Sequence, residues 1–139
     1  DSLIIVKKIA DLELSKGVDK DIKNSTKYDM AIIALKSGNY SACLFFLDEV
    51  LRSGTKREKA SAYNLKALIA LEDDQIPEAI SLWEKALKEY RSYPPVLINL
   101  GISYLKYGEF KKSEDLLKEV PKIYRFSQAN LSTVQLYLH

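Results

Sequence analysis

This sequence predicts an all-α fold built from repeated helical hairpins. Three observations carry that reading. A two-helix pattern occurs three times along the 139 residues. Each copy breaks at a turn residue in the same place, Gly38, Asp74 and Gly108, giving spacings of 36 and 34 residues. Within the copies, apolar and small residues recur at helical spacing, as in the i, i+3, i+4, i+7 set Leu97, Leu100, Gly101 and Tyr104.

The clearest copy is PPVLINLGISYLKYGEFKKSEDLLK, residues 94–118. Pro94 and Pro95 suit the opening of a helix. Gly101 is small enough for a neighbouring helix to come close, and Gly108 can take the left-handed conformation that ends a helix. The following helix starts at Phe110 and offers Leu116, Leu117 and Val120 for burial, with Pro121 as its stop. A hairpin apolar on more than one side needs neighbours of its own kind. Upstream, AYNLKALIALEDDQIPEAISLWEKAL and YDMAIIALKSGNYSACLFFLDEVL supply them.

A helix–turn–helix unit repeating at about 34 residues marks the tetratricopeptide repeat family, and the chain resembles that family over roughly residues 24–120. The family places a small residue in the first helix of each repeat, matched by Ala31, Ala67 and Gly101. It places two more in the second helix, matched by Cys43, Ala79 and Ser113 and then by Val50, Ala86 and Val120. Lys27, Lys66 and Asp74 depart from the pattern, which favours a large residue, a leucine and a glycine at those places. The resemblance implies an α–α superhelix, a solenoid of three repeats at 24–59, 60–93 and 94–121. Residues 1–23 then form an N-terminal arm or half repeat, and 122–139 a partial repeat or capping helix.

Taken in order, SLIIVKKIADLELSK (2–16) carries a helical stripe of Leu3, Val6 and Ala10. It reads either as the last helix of an upstream repeat or as an arm lying in the groove. Residues 17–26 are a polar loop with Asn24, Ser25 and Thr26 as capping candidates. Helices are expected over 28–36 and 41–51, with Cys43 a core cysteine rather than a reactive thiol. SGTKREK (53–59) reads as a solvated basic loop, ahead of a helix over 60–72. Glu72, Asp73 and Asp74 end that helix with charge opposed to its dipole. Pro77 fits the first turn of the next helix, Trp83 a core position, and Glu84–Lys88 an i, i+4 surface pair. Ser127 opens a last helix, QANLSTVQLYLH.

Composition narrows the function. A net charge of +2 gives no electrostatic case for nucleic acid, and no apolar run approaches the ~20 residues that span a bilayer. The chain is expected to be soluble, in the cytoplasm or periplasm, without membrane insertion. A start at Asp1 rather than methionine reads as a processed or excised form. One cysteine allows no internal disulfide. The one histidine is His139, the last residue, so His-based nucleophiles and His-rich metal sites are excluded. No phosphate-binding glycine loop, C-x-x-C or G-x-S-x-G occurs. Neighbouring carboxylates such as Asp48 and Glu49 diverge around a helix. The expectation is a non-enzyme with no cofactor, metal or catalytic residue.

In tetratricopeptide stacks the first helix of each repeat lines a concave groove. Carried over residue by residue, the resemblance implies a partner-binding groove of Tyr28, Ile32, Leu35, Asn64, Leu65, Leu68, Leu71, Ile98, Asn99, Ile102 and Leu105. The clamp that holds chaperone carboxylate tails needs lysines, asparagines and an arginine where Tyr28, Ile32, Leu65, Pro95 and Asn99 stand, so that activity is not implied. What remains is an apolar stripe suited to a partner's amphipathic helix or apolar segment, with the asparagines pairing backbone groups. Alternatively, curvature or the arm at 2–16 buries the stripe. Two functions follow: an adaptor or chaperone-like module that holds a protein or peptide, or a scaffold subunit that assembles through open ends, homo-oligomers included. The abundance of Lys, Ile, Tyr and Asn hints at a bacterial source, where such repeats serve envelope, secretion or motility complexes.

Overall fold

The structure, a computed structural model, describes residues 22–124, with side chains through Lys122. The helices expected over 2–16 and from Ser127 onward lie outside the described residues. Within them the chain forms seven α-helices and no strand. These are α1 (Asn24–Lys36), α2 (Tyr40–Ser53), α3 (Lys56–Glu72), α4 (Ile76–Glu89), α5 (Pro94–Lys106), α6 (Phe110–Leu117) and α7 (Glu119–Tyr124). The chain divides into two compact units, which meet within α3 between Ala62 and Tyr63.

The first unit is built on the α1–α2 hairpin. Ala31, Ala34, Ala42, Cys43, Phe46, Leu47 and Val50 form its buried face. Burial pushes the Cys43 thiol up to about 11, so it stays protonated and inert at neutral pH. In the second unit α5 packs against α4, α6 and α7. Leu97, Ile98 and Val120 make a core cluster, with Leu87, Ile102 and Leu116 packed on it. A Cβ built on Gly101 would meet Leu117 Cδ2 at 2.8 Å, so a larger residue there would force the Leu117 side chain to shift.

The turns fix the register. Gly38, Asp74 and Gly108 have φ of 77°, 57° and 78°, and no other described residue has positive φ. Each makes the same pair of bonds. The N–H of Gly38 reaches the Leu35 carbonyl and that of Asn39 the Ala34 carbonyl. The N–H groups of Asp74 and Gln75 reach Leu71 and Ala70, and those of Gly108 and Glu109 reach Leu105 and Tyr104. This is the two-bond helix stop that requires a left-handed residue. Two copies use glycine for it, and Asp74 supports the same geometry at a cost of up to ~1–2 kcal/mol. Its carboxylate also sits at the negative end of α3. Asp74→Gly is therefore expected to raise stability by about 1 kcal/mol and the melting temperature by a few degrees. A thermal melt checks this, and an unchanged or lower midpoint contradicts it.

Several helix ends differ from the sequence expectation. Asn24, Ser25 and Thr26, read as the end of a polar loop and as capping candidates, lie inside α1, whose N-cap is Lys23 with no side-chain bond. Three others each have a local reason. The basic stretch 53–59 is mostly helix. Thr55 Oγ1 accepts from the Glu58 N–H at 3.2 Å, and Glu58 Oε1 accepts from the Thr55 N–H at 2.9 Å. This reciprocal capping box starts α3 at Lys56, and its T-x-x-E signature is present in the sequence. Asn39 caps α2 by accepting from the Ala42 N–H at 3.1 Å, so α2 begins earlier than expected. Pro121 does not end a helix but lies in the first turn of α7. Lacking an N–H, it cannot continue the α6 ladder, which stops at Leu117; its third place in a new helix requires no donor.

Candidate partner-binding site

The second unit carries the most developed surface. Trp83 is 1% exposed, and its indole N–H donates to Asn64 Oδ1 at 2.8 Å. An indole can only donate, so this bond fixes which end of the Asn64 amide faces it. The same oxygen accepts from Asn99 Nδ2 at 3.1 Å. One tryptophan on α4 thereby sets the orientation of two asparagines, on α3 and α5. The remaining capacity is the amino group of Asn64, which is buried at 9% exposure, and the carbonyl oxygen of half-buried Asn99, a donor beside an acceptor. That pair matches the N–H and C=O of another backbone.

Apolar residues flank this pair at helical spacing. On α3, Leu68 is half-buried and Leu71 is 39% exposed. On α5, Ile102 is half-buried and Leu105 is 39% exposed. Leu65 and Ile98, expected in the same stripe, are buried, and Ile98 belongs to the core cluster of the second unit. Of the stripe expected on α3 and α5, four residues thus remain accessible, two on each helix. In the first unit Tyr28, Ile32 and Leu35 are half-buried on α1.

The Glu84 carboxylate, placed by spacing opposite Lys88, acts on the Tyr104 hydroxyl. Lys112 Nζ lies 5.4 Å from the centroid of the Tyr104 ring. Burial first, then the negative charge and hydrogen bond of Glu84, push the Tyr104 phenol up to about 12 from its ordinary 10.0. The folded protein therefore keeps this proton where the unfolded chain loses it. Stability is expected to fall as pH rises from about 10 to 12, and Tyr104→Phe to flatten that fall. Urea unfolding at pH 9 and pH 11 measures it; an equal loss in the variant contradicts the assignment.

All nine small-residue positions of the three copies are buried: Ala31, Cys43 and Val50; Ala67, Ala79 and Ala86; Gly101, Ser113 and Val120. Residues 70–135 match the family model described as Tetratricopeptide repeat. Over these residues the chain carries a tetratricopeptide repeat signature. It is also 29% identical over 93 residues to the photosystem I assembly protein Ycf3 of Prochlorococcus marinus subsp. pastoris. That alignment covers 66% of this chain and 54% of the relative, so the chain spans about half the relative's length. The relative is bacterial, in keeping with the source its composition suggests. Tetratricopeptide repeats are protein–protein interaction modules and generally non-catalytic. Among the described residues no helix is long and apolar enough to cross a membrane.

Sequence reasoning missed two features here. The Trp83–Asn64–Asn99 bond chain joins residues 19 and 35 apart along the sequence, and its partners become neighbours only when helices pack. The signal that was available is an asparagine on the apolar side of two successive first helices. The second feature is the burial of Leu65 and Ile98, which a repeat register assigns to the groove.

Proposed function

We propose that this chain is a non-catalytic adaptor that holds a helix or apolar segment of a partner protein against α3 and α5. Leu68, Leu71, Ile102 and Leu105 supply apolar contact, and Asn64 and Asn99 bond the partner's backbone. The observation that carries the reading is the asparagine pair, held in one orientation by Trp83 and flanked by exposed leucines. Exposed apolar residues beside oriented polar groups suit helix-in-groove or extended-segment recognition. We take the repeat blocks as 24–59, 60–93 and 94–121, with Tyr28, Ile32 and Leu35 as the groove residues of the first block considered by itself.

The relative's printed role favours a second reading within the same class. An assembly protein holds subunits while a complex forms, and this chain would act as such a scaffold for its own partners. The test for both is the double substitution Leu71→Asp, Leu105→Asp. Both side chains are more than a third exposed, so stability is expected to hold within about 0.5 kcal/mol. Proteins recovered by the native chain from its source are expected to be lost by the variant. Unchanged recovery in a folded variant overturns this surface, and concentration-dependent light scattering then tests self-assembly in its place.

A further inference from the structure

A second site lies in the first unit, between the start of α1 and the end of α2, and shares no residue with the α3–α5 surface. Lys23, Asn24, Lys27, Glu49, Arg52 and Ser53 border a cavity of about 510 Å³. Two of the charges are almost entirely removed from solvent. The Lys27 and Glu49 side chains are 4% and 3% exposed, with Lys27 Nζ 3.6 Å from Glu49 Oε2. That separation is an ion pair but not a hydrogen bond. Arg52 holds the other carboxylate oxygen, Oε1, at 2.9 Å. Glu49 Oε2 is left buried with no hydrogen-bond partner. A buried acceptor in that condition is costly and requires explanation.

The other polar groups of the cavity are occupied with each other. Asn24 Nδ2 donates to the Ser53 carbonyl at 3.2 Å, and Ser53 Oγ donates to Asn24 Oδ1 at 3.3 Å. What is offered to a ligand is therefore the Lys27 ammonium, the Lys23 ammonium, part of the Arg52 guanidinium and one carboxylate oxygen that needs a donor. Three positive charges face one negative. The first turn of α1, which carries no acidic residue, adds its N–H groups to the positive side.

We propose that this cavity binds hydrogen phosphate. Its negative oxygens accept from Lys27, Lys23 and Arg52, and its remaining P–OH donates to Glu49 Oε2. Charge and proton are both required. Sulfate carries the charge but no proton at neutral pH, and meets Glu49 with like charge and no donor. A zwitterion such as glycine offers a donor but leaves the positive excess uncompensated. The arrangement thus selects an anion that retains one acidic proton.

The test is calorimetric titration of the full chain at neutral pH with inorganic phosphate, sulfate, phenyl phosphate and glycine. Phosphate is expected to saturate the protein, with sulfate at least about tenfold weaker, the cost of an unpaired buried acceptor. Phenyl phosphate, a monoester with its second pKa near 6 and so mostly a proton-free dianion at neutral pH, separates charge from proton: it is expected to bind about as weakly as sulfate, and binding comparable to phosphate overturns the proposal. Lys23→Gln, which leaves the buried pair intact, is expected to weaken phosphate by about threefold. Equal binding of sulfate and phosphate, preferential binding of glycine, or no phosphate binding up to the millimolar range overturns the proposal.

Discussion

Replacing Glu49 with alanine is expected to destabilise the protein by about 3–5 kcal/mol, because it strands the buried ammonium of Lys27 without a counter-charge. Lys27 stands where the repeat pattern favours a large side chain, between α1 and α2, and is 3% exposed. The glutamate meets it from α2 and also holds Arg52. Removing the carboxylate leaves one cation in a low-dielectric site. Arg52, by contrast, is 59% exposed and returns to water at little cost. Replacing both members of the buried pair with apolar residues, Lys27→Met with Glu49→Leu, is expected to recover stability to within about 1 kcal/mol of the native chain. Chemical denaturation of the three proteins measures this. A loss below 1 kcal/mol for Glu49→Ala contradicts burial of the pair. A double variant as weak as the single one assigns the loss to packing instead of charge.

Trp83→Ala is expected to cost about 3–5 kcal/mol as well, by a different route. The indole is the largest fully buried side chain among the described residues. Its removal leaves a cavity between helices and takes one donor from Asn64. Trp83→Phe separates the two effects: it keeps most of the bulk, loses the N–H and should cost about 1–3 kcal/mol. The two losses differ in their reach. Asn64 without the indole is free to turn its amide, so Asn99 loses a fixed partner in both variants. Partner binding is therefore expected to weaken in Trp83→Phe by more than its stability loss accounts for. Thermal unfolding followed by circular dichroism, alongside binding, tests this. Full binding by a folded Trp83→Phe would separate the tryptophan from the site.

Much of this fold was legible because its turns are chemically distinctive. A glycine or aspartate at residues 38, 74 and 108 carries the helix stop in the chain itself, and the structure places positive φ at those three residues. The small residues could be read for the same reason: close helix packing admits only small side chains at set intervals, as Gly101 against Leu117 illustrates. Helix starts were less legible, since a cap depends on one bond geometry. Thr55 and Glu58 sit in a basic stretch that suits a solvated loop, although their spacing is that of a capping box. Lys27 could be recognised as a departure from the pattern, but not as half of an ion pair, because Glu49 lies 22 residues away on the facing helix. The apolar stripe is legible as a set of positions and not in how much of each is accessible. Register assigns Ile98 and Leu105 to the same side of α5, yet their exposures are 1% and 39%. Depth depends on what packs above a residue, and periodicity does not encode that.

The central claim is that a partner is held at the Asn64–Asn99 pair on α3 and α5. Trp83 is the only tryptophan, so its indole N–H gives a single resonance in a nitrogen–proton NMR spectrum. It donates to the oxygen that Asn99 also donates to. Titration with a segment of a captured partner should shift this resonance and the side-chain amides of Asn64 and Asn99 together, and Leu71→Asp with Leu105→Asp should abolish the shifts. Saturable binding that leaves these three signals unmoved would contradict the account.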